Sequence, residues 1–202
     1  MLNKLIFICI TLLLLMAGQS NGQTKKNIVN YLGIKGPVSI LKNVYNLVWS
    51  SHPEASFYKQ EYLPAGDAFP NYKSMFTIDF AITESSVDDA VNRKILELKQ
   101  LKKTGFDVNY EVIANLATEE KMIDCLIGQT AVDEQKSLIE RDVYRFKSVK
   151  AKSGERGLLL IAVSDRKYGK DIKPFLMNLK TSKPVLANAV AKFPVPELTL
   201  SK

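Results

Sequence analysis

The side chains able to do chemistry are few. Beyond residue 22 the sequence holds one cysteine, Cys125, and one histidine, His52, and together they are the one pair that can make a thiolate nucleophile and its base. Cys125 lies in the strand-like run from Lys121 to Ile127, where a small apolar side chain packs well, so its first reading is a core residue. The alternative is an unrecognised hydrolase using Cys125 with His52. His52 precedes Pro53 in what reads as a loop from Ser51 to Ala55. Three carboxylates, Asp79, Glu111 and Asp124, interrupt apolar runs, and a convergent pair of them can serve general acid and base chemistry. Strand alternation instead predicts that each points outward to water. No catalytic residue is therefore assigned.

Two cysteines in all and one histidine also exclude a structural zinc centre of the four-ligand type and a scaffold stapled by several disulfides. A glycine-rich nucleotide loop, a Gly-x-Ser-x-Gly elbow, a paired-histidine metalloprotease helix and an EF-hand loop are all missing. The sequence implies neither a metal nor a cofactor.

Charge is the stronger signal. Lys and Arg number 28 against 21 Asp and Glu, and the excess sits late in the chain: residues 141–202 carry 14 basic and 5 acidic side chains, residues 23–140 carry 13 and 16. One basic group, with Lys150 and Lys152, surrounds an expected hairpin tip, and another, Arg166, Lys167, Lys170 and Lys173, lies between a strand and a helix start. A helix N-terminus flanked by cations suits an anion, so these six residues are the candidate binding positions for an anionic envelope component or an acidic protein. Lysine-rich loops also serve solubility and discourage edge pairing, which is the competing explanation. Basic and aromatic residues are not interleaved, and no nucleic-acid partner is expected.

The elements that must position these groups follow from periodicity. Pro37 to Ser50 reads as two short strands, and Phe57 to Leu63 as a third. Phe76, Ile78, Phe80 and Ile82 alternate on one face of a fourth. Val87, Val91, Ile95, Leu98 and Leu101 form one stripe of a helix, with Ser86 as its N-cap, Lys102 and Lys103 in its last turn and Gly105 beyond its end. Runs at 106–113 and 121–127 form a hairpin, a polar connection spans 128–137, and 139–149 is a half-exposed strand. Leu158 to Val163 contains no polar residue, which predicts a central strand covered on both faces. A loop over 164–170 leads to two helices, one around Ile172 to Leu179 and one after Ser182 and Pro184. Short turns make neighbouring strands antiparallel, so the fold class is α+β: a single domain over 23–202, a mainly antiparallel sheet covered by helices.

Residues 1–22 have a different character. Lys4 precedes an apolar run from Leu5 to Ala17, followed by small and polar residues with Ser20 three positions before a cut after Gly22. This is the pattern of a secretory signal peptide, too short for a stable membrane span, and it predicts an exported protein, periplasmic or extracellular.

The succession of an N-terminal hairpin ending near Trp49, a strand closing in Gln60 to Pro64, a strand and helix from Phe76 to Lys103, a meander and a terminal helix resembles the photosystem extrinsic protein PsbP and its bacterial exported relatives. The resemblance is one of element order over most of the chain after residue 22, and it implies a binding or assembly role with no catalytic residue. The expected function is a non-enzymatic binding or accessory protein of the cell envelope that contacts a protein or an anionic component. A periplasmic inhibitor or immunity protein is the alternative within the same class.

Overall fold

Eight strands form one antiparallel sheet, and its two helices lie on opposite faces. The computed structural model describes residues 28–115 and 118–201. The expected signal segment, 1–22, lies outside them. The strands are β1 (Val38–Ile40), β2 (Asn43–Glu54), β3 (Phe57–Pro64), β4 (Ser74–Ile82), β5 (Asp107–Asn115), β6 (Glu120–Gln129), β7 (Leu138–Lys150) and β8 (Arg156–Tyr168); α1 is Val87–Lys103 and α2 is Ile172–Lys192. Their order across the sheet is β1-β2-β3-β4-β8-β7-β6-β5. The α+β single domain expected from the sequence is thus mostly sheet.

Alternation along β8 shows how the two layers are built. Leu159, Ile161 and Val163 pack with Leu186 and Val190 of α2, whereas Leu158, Leu160 and Ala162 pack with Val87, Val91 and Leu98 of α1. Successive side chains of a strand leave on opposite faces, so a run without polar residues can be buried on both. Each of the Leu, Ile and Val side chains contributes roughly 1.5–3 kcal/mol relative to remaining in water. On the α2 face the segment before β1 and the chain after α2 complete the cover: Thr199 N–H donates to Leu32 O at 3.0 Å and Ser201 N–H to Tyr31 O at 2.9 Å.

α1 has the ends its sequence predicts. Ser86 accepts from the Asp89 amide, and Asp89 accepts from the Ser86 amide, a reciprocal capping box. Gly105 follows the helix at φ +99, a conformation that disfavours any side chain.

Several elements depart from expectation, for traceable reasons. β2 continues through His52 and Pro53 to Glu54, where a loop is expected, because a register irregularity between Ser51 and Glu54 absorbs the proline. β8 likewise continues through the polar residues 164–168: Ser164 and Arg166 find partners on β7, and Lys167 pairs with Asp165 along the same strand. β6 extends to Gln129, two residues into the expected connection. β7 is buried along most of its length where a half-exposed strand is expected, since its arginines and acids are matched across strands and beneath α2. The two expected C-terminal helices are one, with Pro184 inside it. Proline removes the amide that would bond Lys180 O, and the helix is bonded to the sheet beside it: Arg141 Nη2 donates to Lys183 O at 2.7 Å.

Candidate functional site

The sheet keeps the two candidate catalytic groups apart. His52, on β2, stacks on Tyr58 with ring centroids 4.1 Å apart, and its Nδ1 lies 3.0 Å from Phe57 O. Cys125, on β6, is five strand positions away, about 24 Å at the usual interstrand spacing, and belongs to the apolar cluster on the α1 face, whereas Tyr58 belongs to that on the α2 face. Its Sγ lies 3.8 Å from Asp142 Oδ2, and burial, reinforced by that carboxylate, raises the thiol well above its ordinary range. A thiolate nucleophile needs the opposite environment.

The three carboxylates do not share a face either. Asp79 is on the α1 side of β4, while Glu111 and Asp124 stand directly opposite each other on the α2 side of β5 and β6. The expectation that they point outward holds for Glu111 but not for the other two. Asp79 and Asp124 are buried, because each meets a cation inside the fold: Lys59 Nζ is 3.7 Å from Asp79, and Arg141 grips Asp124 through two hydrogen bonds of 3.0 and 2.8 Å. Glu111 is half exposed and pairs with Lys183 of α2 at 2.9 Å.

A second pair on the same face repeats the device. Arg145 donates to Glu120 at 2.8 Å and to Phe193 O at 2.6 Å, so a cation sits at the C-terminus of α2, where the helix dipole favours it. Arg141 and Arg145 thereby bind α2 to β7 at two points four residues apart. The α1 face holds another buried group. Asp142, wholly enclosed, accepts from Ser164 Oγ at 2.5 Å, and burial with neighbouring Glu140 raises its carboxyl to about 7. Glu140 in turn accepts from Tyr72 at 2.9 Å and from Arg166 at 2.5 Å.

The six basic candidates fall into two separate places. Lys150 ends β7 and Lys152 lies in the following turn, paired with Glu197 at 2.9 Å. Arg166 and Lys167 are near the far end of β8, ten and eleven residues from Arg156 and so about 33–36 Å away along the strand. No single small ligand touches both. Arg166 is largely buried: it pairs with Glu140, donates to Tyr72 Oη at 2.7 Å and stacks over the Tyr72 ring at 4.1 Å. Lys167 pairs with Asp165 and lies over the Phe175 ring. Lys170 and Lys173 are exposed at the start of α2.

The surface that sequence reasoning missed is at β5. Among the described residues this strand has one neighbour, β6, so it is an edge of the sheet. Tyr110 and Val112 are 37% and 43% exposed on its α1 face and Ile113 is 38% exposed on its α2 face; Leu176 and Met177 of α2 are 42% and 75% exposed. Two cavities of about 200 Å³ each lie between this half of α2 and the sheet. One is bounded by Asp107, Asn109, Leu126, Ile139, Ile172 and Leu176; the other by Asn109, Glu111, Asp124, Arg141, Leu179 and Lys183. Asn109 and Leu126 belong to both, so the two form one groove with an apolar floor and a bidentate ion pair at one end. Its length, from Ile172 to Lys183 on the helix, is about 17 Å. The alternation of apolar and polar residues in 106–113 signalled the strand, but nothing in it signalled that the strand would lie at an edge.

Among the described residues no three His, Cys, Asp or Glu side chains cluster as metal donors, and no helix is long and apolar enough to cross a membrane. Comparison with known proteins gives a protein-family model that matches residues 32–195. No curated protein matches the chain.

Proposed function

We propose, for a chain that belongs to the family whose model spans residues 32–195, a non-enzymatic binding role: an exported accessory protein of the cell envelope that contacts a protein partner through the β5 side of its sheet. The observation that carries this reading is a regular β5 edge that exposes Tyr110 and Val112 on the α1 face of the sheet and Ile113 on the α2 face, together with a groove under the first half of α2 of roughly the size that binds small groups or side chains. Acidic and nucleophilic groups, by contrast, are held in ion pairs and hydrogen bonds that build the fold. A protein partner is favoured over an anionic surface because Arg166 is already engaged and the two basic groups lie at opposite ends of β8.

The finer fold assignment belongs to the same proposal. A PsbP-like fold is supported by the element order, and it implies binding and not catalysis. Export is supported by the apolar run at 5–17, and an intact mass starting near Gln23 is the result expected after secretion.

Affinity capture from an envelope fraction tests the role, using the protein and a variant with Val112→Glu and Met177→Glu. Recovery of one stoichiometric partner by the parent and its loss with the variant is the expected result. Equal recovery by both would place the contact elsewhere, and turnover of a substrate by the purified protein would overturn the non-enzymatic reading.

A further inference from the structure

The two edges of the sheet are treated differently. β1 has three residues, too short to template another strand. β5 has nine, and its register with β6 runs without a bulge from Asp107 opposite Gly128 to Asn115 opposite Glu120. Natural edges of this length are usually interrupted by a bulge, a proline or an outward lysine. β5, with the sequence DVNYEVIAN, has none of these. A regular edge leaves alternate amides and carbonyls pointing away from the sheet, ready to pair with a further strand.

We infer that β5 receives an extended segment of a basic partner polypeptide as a ninth strand, with an apolar side chain entering the groove beneath α2; this rests on the binding role proposed above. Charge selects the occupant. The chain as a whole has a net charge of +7, yet β5 carries Asp107 and Glu111 and no cation. Both lie on the α2 face, four residues and about 13 Å apart, with Asn109 between them. A partner strand therefore meets both carboxylates with Lys or Arg placed four residues apart, and the residue midway faces Asn109, where the two cavities join above Leu126. A leucine-sized side chain there reaches the groove. The exposed Glu111–Lys183 pair is weak enough to be shared with an incoming cation.

A second copy of the chain fits less well. Antiparallel pairing of β5 with itself sets Glu111 against Glu111 or against Asp107 in two registers, and against Asn109 or Ile113 in the two alternating with them. None supplies a cation to either carboxylate, and like charges directly opposite are destabilising.

The test uses a blocked heptapeptide probe of sequence Thr-Lys-Thr-Leu-Thr-Lys-Thr, an otherwise identical peptide with both lysines replaced by glutamate, and a backbone N-methylated copy of the first. Binding to the full protein is read by fluorescence anisotropy and by amide chemical shifts. The lysine peptide should bind with shifts centred on 107–113. The glutamate peptide should bind at least tenfold more weakly, as should the lysine peptide to a variant with Asp107→Asn and Glu111→Gln, and N-methylation should abolish binding. No binding of the lysine peptide at millimolar concentration, equal binding of the two charge types, shifts confined to other elements, or a dimer mass by light scattering that is lost with Val112→Glu would each overturn strand addition. If a stoichiometric partner is still captured when the peptide fails, strand addition alone is refuted and the binding role stands; a substrate turned over by the protein refutes the role itself.

Discussion

Replacing Arg141 with alanine should cost far more than the loss of an ordinary surface charge. The Arg141 and Asp124 side chains are 3% and 4% exposed, and they meet in a fork of two hydrogen bonds, with a third from Arg141 to Lys183 O beside Pro184. Arg141→Ala leaves the Asp124 carboxylate enclosed beneath α2 without its cation, a situation that costs about 3–5 kcal/mol. For a domain of this size each kcal/mol moves the midpoint by about 2–4 °C, so the expected fall in Tm is on the order of 10 °C. Asp124→Leu with Arg141→Met removes both charges and refills the space, and should recover most of the loss, to within about 2 kcal/mol of the parent. Urea unfolding of the parent, Arg141→Met, Asp124→Leu and the double variant closes a cycle whose coupling should exceed about 2 kcal/mol. A cost below about 1 kcal/mol for Arg141→Ala, or additive single changes, would refute the claim that this pair anchors the helix to the sheet.

Three further outcomes follow from buried groups. Cys125 should resist alkylation in the native protein and react fully in urea, because burial raises its thiol; rapid native labelling would contradict its place in the core. The Asp142 carboxyl stands at about 7 in the folded chain against about 3.9 unfolded, so between those values the folded state holds the extra proton and stability falls as pH rises. Relative to Asp142→Asn, the parent should lose thermal stability from pH 4 to pH 7, and parallel Tm curves for the two would refute the assignment. Gly157→Ala should be poorly tolerated, since a Cβ there would lie 2.0 Å from Ala81 O on the neighbouring strand; a loss of at least about 2 kcal/mol in chemical unfolding is expected, and a neutral result would refute that close approach.

Local patterns carried the elements whose partners are local. α1 was legible from its stripe, its serine cap and its terminal glycine, and β8 from an apolar run that only a central strand can hide twice. Where burial depends on partners distant in sequence, the pattern misled. Asp124 and Asp79 look like outward residues of amphipathic strands, and residues 164–168 look like a polar loop, yet each is neutralised by a side chain from an adjacent strand or helix. The same holds for Pro184: it looks like a boundary between two helices, yet one helix runs through it, bonded beside the proline by Arg141, forty-three residues earlier. The candidate site was less legible still. Its strand was visible in the sequence, but an edge is a property of the strand order, and the crossover that sends β8 between β4 and β7 puts β5 outermost.

Hydrogen exchange on the protein, alone and with its captured partner, bears most directly on the claim that β5 is the binding edge. Slowed exchange across residues 107–113, with smaller protection in the first half of α2, is the predicted result. Protection confined to the turn at 150–157 or to 166–173, with β5 unchanged, would contradict the account.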